Sequence, residues 1–90
     1  MERCTVTIIN RLGLHARAAS KFVAVSSRYG CAVRVRRDAS GDWSDGKSIM
    51  AVMMLAAGQG CDLELETEGS DETAAMQALR DLVNDYFGEG

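Results

Sequence analysis

The chain contains one histidine, His15, and an arginine, Arg17, follows it two residues later in Gly13-Leu14-His15-Ala16-Arg17. An imidazole nitrogen can act as a nucleophile toward phosphorus, and a guanidinium offers a charged fork to phosphate oxygens. The segment joins an alternating run to a helical one, which puts His15 at an N-cap. A helix start presents unpaired N–H donors and roughly half a positive charge. A phosphate carried on the ring would be held there by the amides of Ala16 and Arg17, and a positive field favours a neutral ring with a free lone pair. The plainer alternative is a lone histidine that merely caps a helix, and spacing alone does not decide between them.

A second motif competes for a phosphate. Gly41-Asp42-Trp43-Ser44-Asp45-Gly46-Lys47-Ser48 satisfies the phosphate-loop pattern G-x-x-x-x-G-K-S literally. A working loop of that kind joins a buried parallel strand to a long helix. This one begins inside an expected hairpin, sets Asp42 and Asp45 where phosphate charge would lie, and precedes a helix of about two turns. It also lacks a later apolar strand with an Asp to hold magnesium. Its match is accidental on this reading.

Composition narrows the remaining classes. Ninety residues, 47% of them hydrophobic, fit one domain spanning 1–90, and a chain of that size buries roughly 60 to 65% of its unfolded surface. A net charge of −3 with scattered Lys and Arg lacks the basic footprint of a nucleic-acid binder. No run approaches the ~20 apolar residues of a membrane span, and Met1 to Thr5 does not open like a signal peptide. A cytoplasmic monomer is expected. Cys4, Cys31 and Cys61 are widely spaced without a CxxC pair, so they read as small apolar packing residues. With one histidine, no multi-histidine metal site is available, and no cofactor is implied.

The elements that must position His15 follow from periodicity. Val6 and Ile8 share one face of a strand from Thr5 to Ile9. Ala18, Ala19, Phe22, Val25, Ser26 and Tyr29 stripe a helix from Ala16 to Tyr29, with Gly30 as a left-handed stop. Val33 and Val35 alternate with Arg34 and Arg36 in a second strand. An Asp38 to Gly41 turn leads to a third strand at Asp42 to Ser44. Ile49 to Ala56 reads as a two-turn helix, capped by Lys47-Ser48 and stopped by Gly58.

From Cys61 to Glu68 a fourth strand carries one apolar and one acidic face. That acidic row predicts pairing beside Arg34 and Arg36, with this face of the sheet in water. Ser70 caps a last helix striped by Ala75, Met76, Leu79, Leu82, Val83 and Tyr86 and ended by Gly88. The predicted class is α+β. It is a two-layer open-faced sandwich of order β-α-β-β-α-β-α, with a four-stranded antiparallel sheet and three helices on one face.

Two separated motifs, Leu12-Gly13-Leu14-His15-Ala16-Arg17-Ala18-Ala19 and Lys47-Ser48-Ile49-Met50-Ala51-Val52-Met53-Met54-Leu55, together with the element order, resemble the HPr family. These are the histidine-containing phosphocarriers of the bacterial phosphoenolpyruvate-dependent phosphotransferase system. The resemblance runs from Thr5 to Phe87. It implies a stoichiometric phosphoryl carrier, not an enzyme, in which His15 takes a phosphoryl group on Nδ1 from phosphorylated enzyme I and Arg17 stabilises it. The group then passes to an EIIA-type protein, in sugar uptake or in nitrogen-related regulation.

By the same resemblance, Ile49, Met50 and Met53 form an exposed docking patch, whereas Val52 and Leu55 read as core. Ser48 resembles the regulatory serine that HPr kinase/phosphorylase phosphorylates in some bacteria; the alternative is a plain N-cap hydroxyl. The family commonly has Pro where this chain has Ala18, a difference that costs little in the first turn of a helix. The first helix offers only Arg17, Lys21 and Arg28 as cations for an acidic partner. The competing reading is a ferredoxin-like regulatory or small-ligand-binding module without phosphotransfer, to be separated from the first by strand order and by the setting of His15.

Overall fold

The computed structural model describes residues 1–37, 39 and 41–89. Its elements are β1 (Glu2–Thr7), α1 (Ala16–Ser26), β2 (Ala32–Arg36), β3 (Ser44–Asp45), α2 (Ile49–Met54), β4 (Asp62–Glu68) and α3 (Glu72–Asn84), followed by a 3₁₀ turn at Tyr86–Gly88. The strands form one antiparallel sheet in the order β1-β4-β2-β3, and the three helices cover one face of it. This is the expected α+β open-faced sandwich. Register puts Leu63 opposite Val6, and Leu65 opposite both Cys4 and Val35. The apolar positions therefore meet the helices, where Ile8, Phe22, Leu63, Leu65, Leu79 and Phe87 are fully buried, each contributing roughly 1.5–3 kcal/mol. Cys31 is buried, Cys4 and Cys61 pack against the core, and all three are free thiols. None of the helices is long and apolar enough to cross a membrane, and no metal-ligand cluster exists among the described residues.

Several boundaries differ from the sequence expectation, each for a local reason. β1 runs Glu2–Thr7, not Thr5 to Ile9, because β4 supplies partners from Thr67 back to Asp62. Ile8 is still tied to the loop before β4, donating to the Cys61 carbonyl at 2.8 Å and accepting from Gly60 at 2.7 Å. α1 ends at Ser26 and not at Tyr29: the Arg28 and Tyr29 amides tighten onto the carbonyls of Val25 and Ser26. Gly30 is not left-handed, and its amide donates to Asp71 Oδ2 at 2.8 Å. β3 is Ser44–Asp45 instead of Asp42 to Ser44; of the turn expected before it, Asp38 and Ser40 lie outside the described residues.

α2 ends at Met54, short of Ala56, and the stop is Ala56 itself at φ 51° instead of Gly58. Ser48 alone caps it, because the Lys47 ammonium reaches the Tyr29 carbonyl at 2.7 Å. α3 starts at Glu72, so Asp71 and not Ser70 holds the cap position. The Asp71 carboxylate is drawn to the amides of Gly30 and Cys31 at 2.8 and 2.9 Å, fastening the α1–β2 turn to α3. α3 itself closes at Asn84, before Gly88.

Tyr86 is exposed and lies outside α3, while Phe87 is buried in its place. Tyr86, Phe87 and Gly88 all take left-handed φ, at 58°, 52° and 75°. That conformation costs a non-glycine residue roughly 1–2 kcal/mol, and burying the Phe87 ring offsets a similar amount.

The acidic face of β4 pairs with β2 as expected and keeps Asp62 and Glu68 in water, but one member of the row is buried. Glu66 is only 4% exposed, gripped by Arg3 Nη2 at 2.6 Å and Arg34 Nε at 2.7 Å. Arg36 holds Glu64 at 2.7 Å, and the Arg3 and Arg36 guanidiniums lie 5.4 and 4.2 Å from the centre of the Trp43 ring. Burial is tolerated because arginines on both neighbouring strands share the charge.

Candidate functional site

The loop between β1 and α1 is fastened before it reaches His15. Asn10, buried, accepts from the Gly13 amide at 3.2 Å and donates through Nδ2 to the Gly13 carbonyl at 2.8 Å. Gly13 has φ 68°, and a Cβ there would stand 2.5 Å from the Ala57 carbonyl oxygen, so only glycine fits. Leu14 is buried and its amide donates to the same carbonyl at 2.9 Å. The start of α1 is thereby locked to the chain that follows α2.

His15 is the N-cap of α1, and its side chain is 27% exposed. Nδ1 accepts from the Arg17 amide at 3.3 Å, while Nε2 meets the Glu89 carboxylate. Arg17 is exposed and, with Arg11, Lys21 and Ala16, borders a cleft of about 800 Å³ in front of the ring. The first amide bonded within α1 is that of Ala19, to the His15 carbonyl at 2.9 Å. The amides of Ala16, Arg17 and Ala18 precede that ladder, so Ala18 occupies a position where Pro would also be tolerated. The site thus presents a nucleophilic nitrogen, a helix start and three cations around one cleft.

Glu89 and Asn10 escaped the sequence reading as site residues. Glu89 arrives from 74 residues away in sequence, delivered by the left-handed run at 86–88 and by Lys21 Nζ, which donates to the Phe87 carbonyl at 2.7 Å. No periodicity could have placed it. Its carboxyl is held below the usual range, first by Asn10 Nδ2 at 3.1 Å and then by His15. The local sequence left Arg17 and His15 without acidic company; the fold supplies one carboxylate to His15.

Ser48 caps α2 by accepting from the Ala51 amide at 3.2 Å and is partly exposed. Beside it Ile49, Met50 and Met53 are exposed, as are Met54 and Leu12, which the sequence reading did not single out. Val52 is fully buried and Leu55 packs against the core. The literal phosphate loop is consumed by structural contacts. Gly46 donates to the Val33 carbonyl at 2.8 Å, the Lys47 amide donates to Asp45 Oδ1 at 2.9 Å, and the Lys47 ammonium is turned to Tyr29.

An open-faced α+β sandwich presenting one histidine at a basic helix start defines a class of small carrier proteins. The family model described as "PTS HPr component phosphorylation site" matches residues 2–85, and the chain belongs to the HPr family of phosphocarriers. It is 59% identical over 90 residues to the phosphocarrier protein HPr of Pseudomonas aeruginosa, covering 100% of this chain and 99% of that one. It is 52% identical, with the same coverage, to the HPr of a Neisseria meningitidis serogroup A strain. The crystal structure of HPr-C-His from Thermoanaerobacter tengcongensis is similar over 100% of this chain and 99% of that one, with a TM-score of 0.92 at 39% identity. Similarity over the whole chain in both sequence and fold favours the phosphocarrier reading over the ferredoxin-like one.

Proposed function

We propose that the protein carries a phosphoryl group on Nδ1 of His15, taking it from phosphorylated enzyme I in the cytoplasm and handing it to an EIIA-type protein. In the first step the Nδ1 lone pair forms the N–P bond while the bond from phosphorus to its donor breaks, the donor keeping that electron pair. In the second, a nucleophile of the EIIA-type protein attacks phosphorus and the N–P electrons return to Nδ1. The amides of Ala16 and Arg17, with the Arg17 guanidinium, offset the charge on the transferring oxygens. The carrier is stoichiometric and needs no cofactor, and it works as a monomer.

The observation that carries this reading is His15 at the N-cap with its Nδ1 turned to the Arg17 amide beside a cation-lined cleft. The exposed Ile49, Met50 and Met53 support a docking role for α2. Ser48 is proposed as a regulatory phosphorylation site for an HPr kinase/phosphorylase, since a phosphate there would add charge beside Met50 and Met53.

Incubation with enzyme I and phosphoenolpyruvate is expected to add one acid-labile, base-stable phosphate to the wild-type chain and none to His15→Ala. Full labelling of His15→Ala would remove the assignment.

A further inference from the structure

We propose that Glu89 is a positioning residue for transfer at His15, fixing the ring proton on Nε2 and offsetting the positive charge that the ring gains when Nδ1 takes the phosphoryl group. The proposal rests on the reading of His15 as the phosphoryl acceptor. A neutral imidazole has one N–H and one lone pair, and the partner of each nitrogen decides which is which. Here Nε2 faces a carboxylate, which only accepts, and Nδ1 faces the Arg17 amide, which only donates. Both contacts select the same tautomer, with the proton on Nε2 and the lone pair on Nδ1 aimed at the helix start.

The carboxylate is itself held in place. Asn10 Nδ2, buried, binds Glu89 Oε1 at 3.1 Å and the Gly13 carbonyl at 2.8 Å. The Glu89 amide donates to the Tyr86 carbonyl at 2.9 Å, and Lys21 pins the Phe87 carbonyl at 2.7 Å. The Glu89 side chain is 19% exposed, so water competes only weakly for its oxygens.

The charge argument follows from the chemistry. When Nδ1 forms its bond to phosphorus while Nε2 keeps its proton, the ring becomes formally cationic, and a helix start opposes a cation. A carboxylate hydrogen-bonded to Nε2–H offsets that charge on the side of the ring away from the phosphoryl group. When the N–P bond breaks in the onward step, its electron pair returns to Nδ1 and the proton is already on Nε2. The ring therefore leaves neutral, without a separate proton transfer.

The test uses the full chain, with nitrogen NMR of the His15 ring and with enzyme I-dependent labelling. Wild type is expected to hold a single Nε2–H tautomer. Glu89→Ala should give a mixture of tautomers and an enzyme I-dependent phosphorylation rate lower by about tenfold, the worth of one charge-assisted hydrogen bond. Its KM for enzyme I should change little, and Glu89→Asp, which keeps the carboxylate, should recover most of the rate. A Glu89→Ala chain that keeps the wild-type tautomer would overturn the proposal, whether or not its rate falls, because a slower carrier with an unchanged ring has lost docking or stability instead. Failure of the wild-type chain to accept phosphate would remove the parent reading, whereas the tautomer comparison, made without phosphate, would still decide the Glu89 contact.

Discussion

α1 and α2 begin alike and are surrounded differently. His15 accepts from the Arg17 amide at 3.3 Å, and Ser48 accepts from the Ala51 amide at 3.2 Å, each side chain capping its helix. Around the first cap, Arg11, Arg17 and Lys21 border an open cleft. Near the second, Asp45 takes the Lys47 amide, and the Lys47 ammonium is drawn away to Tyr29. Capping geometry alone therefore does not distinguish the two helix starts. The α1 start adds cations and an imidazole nitrogen whose lone pair needs no deprotonation, whereas a serine hydroxyl must first lose a proton to a base that some other protein brings.

This contrast can be broken from the α1 side. Arg17→Ala should slow enzyme I-dependent labelling of His15 by about a hundredfold while leaving the urea midpoint nearly unchanged, the expected size for losing one charge-stabilising group. An undiminished rate would mean that the helix amides suffice and that the cations do not distinguish the two helix starts. At the α2 start the effects are smaller. Ser48→Ala should lose about 1 kcal/mol in urea unfolding with the cap and keep its labelling rate. Ser48→Asp should keep the cap and raise the KM for enzyme I roughly fivefold through charge beside the methionines. Equal KM values for the two variants would leave Ser48 as a cap only.

A smaller effect lies on the far face of the sheet and does not touch transfer. Arg3 first and Arg34 next hold the Glu66 carboxyl below its ordinary value. The stability this contributes is fully present above the unfolded pKa of about 4.3 and is lost as pH falls through the depressed folded value. Urea midpoints measured from about pH 6 down to about pH 2 should therefore fall less steeply for Glu66→Gln than for wild type. Matching slopes would show that Arg3 and Arg34 do not hold this carboxyl in solution.

Much of this was legible along the chain. Strict alternation from Cys61 to Glu68 forecast both the β4 core positions and its arginine neighbours on β2, because a row of like charges needs a counter-row. The extent of Glu66 burial was not legible, since Arg3 comes from β1, and only the sheet order sets it beside the same carboxylate. Tyr86 fitted the α3 stripe by spacing, yet the chain leaves the helix at Asn84 and turns left-handed, so Phe87 fills the core instead. Helical spacing carries no information about where a helix stops when the stop is decided by a ring finding a cavity.

At the site the division is the same. The sequence by itself located the candidate nucleophile, its helix start and Arg17, because capping and charge are properties of neighbouring residues, while the left-handed approach of Gly13 to Ala57 appears only in the folded chain. The tertiary structure alone decided which nitrogen of His15 faces the helix and which faces a carboxylate. That choice depends on Glu89 and Asn10, brought together across the whole length of the chain by the packing of Phe87 and the reach of Lys21.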